Sequence, residues 1–259
     1  MNKITQEILE NLYYQIYPSR LGRKNKYSLT HYIETFGYVL KTGIAWRDLR
    51  APMHWSTYYK KFKMWSDIGL FKLLHKSIID LAKQKNFLTE DNLKCLFIDS
   101  TMIKNCKGVD LLGKNHYDRN RLGNKISLVV SNNGIPLSIS LTTANVHDIH
   151  EVIPTLDNLP FKTKKFTLVA DKAYLSNNLK SVMKDRKIQL ITCYKRNQKT
   201  KNTRKQIDLL QKRFIVENVF SWLQNYRRLR IRYEKNYSTF IQFYYFRLSE
   251  LIARKINKL

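Results

Sequence analysis

Apolar side chains in the first 88 residues recur at helical spacing. Ile4, Ile8, Leu9, Leu12 and Ile16 form a first stripe, closed by Pro18 and Gly22. A second runs through Tyr32, Ile33, Phe36, Val39 and Leu40 and stops at Gly43. A third follows Pro52 with Trp55, Tyr58, Tyr59, Phe62 and Trp65, and sets Lys60, Lys61 and Lys63 on its other faces. A fourth starts near Leu70 and carries Phe71, Leu73, Leu74, Ile78 and Leu81. Short helices joined by Gly and Pro turns, the third aromatic and basic, fit a helix-turn-helix arrangement. They fit equally an ordinary helical bundle whose aromatics are core.

From residue 94 the period changes. Lys94–Ile103 is a short apolar run suited to a central strand, and Lys125–Ser131 and Ile135–Thr143 flank the hairpin signal Asn132-Asn133-Gly134. Asp148–Leu159 reads as a short helix and Phe166–Ala170 as a buried strand that ends at Asp171. Residues 176–187 read as a helix and Ile188–Cys193 as a strand. The polar, basic stretch 194–205 reads as a solvated loop, Gln206 to about Arg228 as one long helix, and Thr239–Lys255 as a last aromatic helix. This order predicts a mixed α/β domain over 89–259, preceded by a small all-α domain over 1–88.

Composition narrows the setting. The 259 residues include 47 Lys and Arg against 20 Asp and Glu, a formal net charge of +27, and 43% are hydrophobic. That apolar share supports a sizeable core and excludes wholesale disorder. No apolar run approaches the ~18 residues that a membrane span needs. The N-terminal stretch lacks the continuous apolar segment of a secretory signal. Cys95, Cys106 and Cys193 are odd in number and far apart, and read as free thiols in a reducing compartment. The expectation is a soluble cytoplasmic protein.

The charge favours a polyanionic partner, nucleic acid first, because each neutralised phosphate releases counterions. An AT-rich genome that inflates Lys codons is the competing explanation. Arginine separates the two, since such drift does not favour it. Its densest cluster is Arg227, Arg228, Arg230 and Arg232, interleaved with Tyr226 and Tyr233. Guanidinium forks suit phosphate oxygens and base edges, so these arginines are candidate DNA contacts, with Arg213, Lys60, Lys61 and Lys63.

Acidic residues are scarce, so those inside apolar runs stand out. Asp99 interrupts CLFIDSTMI, and Asp171 terminates FTLVAD. A buried carboxylate needs a cation, a donor network or a metal. Strand ends of open α/β sheets are where ligands bind, and paired aspartates there suit hard cations such as Mg2+. At helical spacing Arg213, Glu217, Ser221 and Gln224 form one polar stripe on an otherwise apolar helix. Packed on the sheet, that stripe brings Glu217 towards the aspartates. Taken singly, each acid has an ordinary role: a turn former or N-cap for the aspartates, an i,i+4 partner of Arg213 for Glu217. Together with the cationic surplus, they point to metal-dependent phosphoryl transfer on nucleic acid.

At these residues the sequence resembles the DDE transposases of bacterial insertion sequences, in the group allied to insertion sequence 5. The stretches that carry the resemblance are TGIAWRDLRAP with WSTYYKKFKMWSDIGLF, IDSTMIK around Asp99, TANVHD at 143–148, VADKAY around Asp171, and RFIVENVFSWLQNYRRLRIRYEK around Glu217. They occur in order over nearly the whole chain. The resemblance implies an RNase H-like catalytic domain with Asp99, Asp171 and Glu217 as catalytic, metal-binding triad for Mg2+ or Mn2+, two ions per active site. It also implies a helical N-terminal domain that helps recognise terminal inverted repeats in double-stranded DNA, and a homodimer or higher assembly associated with the nucleoid. In the family's signature a Tyr lies three residues before an Arg, the Glu four after it and a Lys seven after the Glu. Arg213 and Glu217 fit, but Leu210 and Gln224 stand at the Tyr and Lys positions. Arg227 or Arg228, one turn on, is the candidate for the missing cation.

His147 and Asp148 close the TANVHD stretch, where they either support the acids by hydrogen bonds or simply cap a helix, with Asp148 as the cap and His147 packed beneath. His116 lies in the basic stretch KNHYDRNRLGNK. The expected activity is strand cleavage and transfer at the ends of an insertion sequence. The alternative is a decayed or repurposed transposase that only binds DNA.

Overall fold

The computed structural model describes residues 2–18, 27–162, 165–194 and 201–257. Gly22 and residues 195–200 of the basic stretch 194–205 lie outside the described residues. The chain opens with helices α1 (Lys3–Ile16), α2 (Leu29–Thr42), α3 (Trp55–Asp67), α4 (Leu70–Gln84) and the single turn α5 (Glu90–Leu93). Strands β1 (Cys95–Asn105), β2 (Gly113–Asn115), β3 (Arg121–Ser131) and β4 (Pro136–Thr143) come next, then α6 (Asp148–Asp157), β5 (Phe166–Val169), α7 (Asn177–Asp185) and β6 (Ile188–Ile191). The last elements are α8 (Arg204–Gln211), α9 (Phe214–Gln224), α10 (Arg227–Arg230), β7 (Ile231–Arg232) and α11 (Tyr237–Ile256).

Two compact units result, and the chain passes between them more than once. The first joins Met1–Lys85, Lys104–Asp110 and Leu223–Leu259; the second joins Asn86–Ile103 and Leu111–Trp222. The expected 89–259 domain thus loses its last segment to the helical unit. The reason is α11, which is apolar around its circumference and buries Phe240, Phe243, Phe246, Leu248 and Ile252. Such a helix needs partners on every side. Phe243 stacks on Phe62 of α3 at 4.2 Å between ring centroids, and Phe246 meets Phe71 of α4 at 5.2 Å.

The aromatic stripe of α3 is therefore core: Tyr58, Phe62 and Trp65 have no exposed surface. Its lysines divide. Lys60 is exposed, but Lys61 donates to the Tyr13 hydroxyl at 2.9 Å with its ammonium over that ring, and Lys63 pairs with Asp67 at 2.7 Å. Helix α2 stops at Gly43, whose φ of 70° is left-handed and whose missing Cβ leaves room for the Arg227 side chain.

The arginine cluster divides in the same way, which corrects two expectations. Arg227 and Arg230 are exposed, whereas Arg228 and Arg232 are interior. Arg228 pairs with Glu234 at 2.7 Å and donates to the Ile44 carbonyl at 3.0 Å. Arg232 pairs with Asp110 and donates to the backbone carbonyls of Asp110 and Glu234. These bonds fasten 104–110, where β1 pairs with β7 in parallel at Lys104↔Ile231. Buried guanidinium groups committed to acids and backbone carbonyls are not on offer to phosphates.

The second unit is built on a mixed sheet. Strand β3 pairs antiparallel with β4 and β2, and on its other edge β1 follows, then β5 and β6 in parallel. The β3–β4 hairpin turns at Asn132-Asn133-Gly134 as expected, with Gly134 at φ 77°. A central strand between an antiparallel ladder and a parallel pair, with helices alongside, is a mixed α/β layout, as expected.

The Arg228–Glu234 pair generates a stability prediction. Burial pushes the Glu234 carboxyl up, and Arg228 opposes the rise. Arg228→Ala leaves that carboxyl without its cation and is expected to cost roughly 3–5 kcal/mol in urea denaturation. The double variant Arg228→Met with Glu234→Gln should recover most of the loss; a double variant as unstable as the single one would contradict the pairing.

Candidate active site

Strand register brings the two aspartates together. β1 pairs with β5 as far as Phe97↔Val169, and Asp99 and Asp171 each lie two residues further along. Both then stand where the paired strands end. Asp171 is also the cap of a short 3-10 turn, its Oδ1 accepting from the Lys172 amide at 2.7 Å. The ordinary role as a turn former thus coexists with a place at the site. Asp99 is the less exposed of the two, and its Oδ1 accepts from the Ser100 amide at 2.9 Å.

The helix that carries the third acid is not continuous. α8 ends at Gln211, a turn spans 212–213, and α9 begins at Phe214, so the expected single helix from Gln206 is broken. It is also less buried than its composition predicts: Ile207 and Phe214 are about half exposed, and Trp222 is 39% exposed. Val216, Val219 and Phe220 form the inward face. The break sets Arg213 in the turn and Glu217 in the first turn of α9.

Arg213 is the centre of the cluster. Its guanidinium lies 3.5 Å from Asp99, 3.2 Å from Asp171 and 3.7 Å from Glu217, and its own side chain is 17% exposed. Three acids distant in sequence thus address one cation. Burial pushes the Asp99 carboxyl up; the Ser100 amide and Arg213 pull it down, and Glu217 and Asp171 add to the rise. Glu217 is the most exposed of the three.

A second network lies behind Asp99. Ser100 Oγ donates to Asp148 Oδ1 at 2.7 Å, and the buried Lys125 ammonium pairs with the same oxygen at 2.7 Å while donating to the Val146 carbonyl at 2.5 Å. Burial raises the Tyr174 phenol far above its ordinary range, and the nearby Asp148 and Asp99 charges add to the rise. The helix cap here is His147, exposed, with Nδ1 accepting from the Ile149 amide. Asp148 is the interior partner, the reverse of the capping arrangement expected. Lys125 was missed by sequence reasoning. Its signal was a lysine at the head of the run ISLVVS, where a buried ammonium demands an acid.

Among the described residues, no three His, Cys, Asp or Glu side chains are grouped closely enough to hold a metal ion, and Arg213 stands between the acids instead. Carboxylates are the donor type that a hard divalent ion takes, and these three already converge on one cation, the Arg213 guanidinium.

Sheet and acids together define a carboxylate-centred α/β domain. Residues 91–245 match the profile of the transposase DDE domain family, and the chain belongs to that family. Residues 7–75 match a second profile, described provisionally as transposase of the IS4/5 family. A Burkholderia cepacia protein with the provisional description of transposase for insertion sequence element IS402 is 32% identical over 131 residues, which are 48% of this chain and 59% of that protein. The match thus spans little more than half of that relative's length. Among solved structures, the chain is similar to the catalytic domain of Mos1 mariner transposase, with 10% identity, 73% of this chain, 89% of that chain and a TM-score of 0.30. It is similar also to the Mos1 strand transfer complex, with 8% identity, 93% and 79% coverage and a TM-score of 0.35. Scores this low carry no weight beside the family profiles.

Removing the shared cation is the direct test of the cluster. Arg213→Ala should lower stability by about 2 kcal/mol at low ionic strength, with the deficit shrinking as salt screens the acids. Lys125→Ala, which strands Asp148, should cost about 3 kcal/mol. Unchanged thermal midpoints in both variants would show that neither cation is required by its acids.

Proposed function

We propose that the chain is a DNA transposase that binds the terminal inverted repeats of an insertion sequence, cleaves the DNA strands there and joins them to target DNA. Family membership supports the class. The observation that carries the chemistry is the approach of Asp99, Asp171 and Glu217 to a single guanidinium. Asp99, Asp171 and Glu217 would hold Mg2+ or Mn2+, two ions in the reading adopted, which when bound supply an activated water or 3′-hydroxyl and stabilise the leaving oxygen.

The chain's own residues then have distinct tasks. The amide bonds to Asp99 and Asp171 fix one oxygen of each carboxylate and leave the other for ligation. Arg213 neutralises the acids, and its planar fork is suited to the oxygens of a phosphodiester brought against them. Asp148 and Lys125 hold Ser100 and through it the strand that bears Asp99. Arg227, Arg230 and Lys60 are the exposed members of the expected DNA-contact set, and duplex DNA is the partner. Joining two ends requires two sites, so the working form is a homodimer or higher assembly on DNA.

One observation favours a second reading. Gln224 and Leu210 replace the Lys and Tyr of the family signature, and Arg228 is committed to Glu234 and does not substitute for that Lys. A chain that has lost its chemistry would keep binding DNA.

The experiment uses the purified full chain and a labelled duplex from the DNA flanking its coding region, where inverted repeats are expected. Asp99→Ala, Asp171→Ala and Glu217→Ala should each abolish nicking in Mg2+ while duplex affinity stays unchanged. Wild-type-like nicking by any one of them refutes its role, and binding without nicking by the wild type establishes the second reading. Independently of activity, Ca2+ should raise the thermal midpoint of Arg213→Ala more than that of the wild type, because no guanidinium competes for the acids. An equal rise in both would separate the metal from this cluster.

A further inference from the structure

The most exposed large hydrophobic side chain among the described residues is Tyr117, at 92%. It stands at the tip of the β2–β3 hairpin, in the stretch that also holds His116. Antiparallel pairing at Gly113↔Gly123, Lys114↔Leu122 and Asn115↔Arg121 brings the ribbon to residues 116–120. A tyrosine left in water forgoes its burial energy, so its exposure on an ordered tip asks for a reason.

The tip is built, and Asn115 builds it. Asn115 is buried; its carbonyl accepts from the amides of Asp118 and Asn120 at 3.1 and 3.0 Å, and its Oδ1 accepts from the Tyr117 amide at 3.0 Å. The Arg121 amide closes the turn on the Asp118 carbonyl at 2.9 Å, and His116 meets Asn120 at 2.9 Å. Arg119 and Asn120 are both left-handed, at φ 51° and 58°. An arginine in that region is strained, and the bonds from Asn115 hold it there.

Lys114, Arg119 and Arg121 are all exposed around the tyrosine, and no ion pair among the described residues engages them. Against these three cations the tip sets one acid, Asp118. Arg213, Arg228, Arg232, Lys61 and Lys125 are committed to acids or rings, whereas Lys60, Arg227 and Arg230 are displayed singly or in pairs. The tip leaves its three cations uncommitted on a two-stranded ribbon narrow enough to enter a DNA groove.

We infer that the β2–β3 hairpin is a DNA-contacting finger, with Lys114, Arg119 and Arg121 on the phosphates of a duplex and Tyr117 laid into the groove between them. This rests on the DNA-acting reading above and adds a contact element that the strand-end acids do not include. Charge complementarity selects the partner: three cations flank an aromatic with an exposed polar end, on a chain of net charge +27.

The test is fluorescence anisotropy of a labelled duplex with the full chain in EDTA, over a range of salt. Triple substitution of Lys114, Arg119 and Arg121 by Ala should reduce the slope of log affinity against log salt by about 2.7, at roughly 0.9 for each lost phosphate contact. Tyr117→Ala should weaken binding about tenfold with the slope unchanged, and Tyr117→Phe should retain most of it. Asn115→Ala, with every cation in place, should also weaken binding, because the tip loses its staple. An unchanged slope and affinity in the triple variant, while the wild type binds, overturns the finger and leaves the transposase reading standing. Failure of the wild type to bind duplex overturns both. Lys114, Tyr117, Arg119 and Arg121 are exposed and Asn115 is buried, so an unchanged thermal midpoint in each variant is what excludes unfolding as the cause.

Discussion

Three carboxylates brought to one place repel each other, and the Arg213 guanidinium is what makes their assembly tolerable. It reaches all three within ion-pair distance, from a turn rather than from a helix. Two independent pieces of architecture meet there. The parallel register of β1 and β5 sets Asp99 beside Asp171, and the break between α8 and α9 aims Arg213 at them while Glu217 follows one turn on. Had α8 and α9 run on as one helix, Arg213 would be one member of a stripe. In the broken form it is the hub. On the proposed function a divalent ion would take the place of that guanidinium, and the cluster as it stands would be charge-compensated in advance of its ligand.

Buried cations are a recurring device in this chain. A protein with so large a positive surplus would be expected to keep its cations in water. Instead Arg228, Arg232 and Lys125 are interior, each satisfied by an acid and by backbone carbonyls. The surplus is accordingly displayed by a smaller set, which includes Arg227, Arg230, Lys60 and the β2–β3 tip. Formal charge therefore overstates how many side chains are available to phosphates, and position within the fold decides which.

What could be read from the sequence was mostly local. The hairpin at Asn132-Asn133-Gly134 and the apolar strands depend on turn chemistry and short-range pattern, and they stand where expected; Asp171 follows the end of β5, whereas Asp99 lies inside β1, which runs on to Asn105. The interrupted helix did not announce itself: LLQKRFIV contains neither Gly nor Pro, and only tertiary packing breaks it. β2 has three residues, too few for a period. Arg227, Arg228, Arg230 and Arg232 pass from a four-residue helix into a two-residue strand, so no single periodicity distinguishes those that point inward. Lys125 and Asp148 find each other across two elements, and the pairing was invisible until both were placed. The return of the last segment to the first unit was hidden for a related reason. Linear order suggested where one domain stopped, while the apolar circumference of α11 required partners from the far end of the chain.

That last arrangement has a temporal side. The first unit draws its residues from both the early and the late parts of the chain, with nearly all of the second unit synthesised in between. During translation Phe62 and Phe71 leave the ribosome long before Phe243 and Phe246 exist to cover them. The helical unit begins first and closes last. A ribosome that stalled ahead of α11 would release a chain with its sheet formed and its aromatic floor missing.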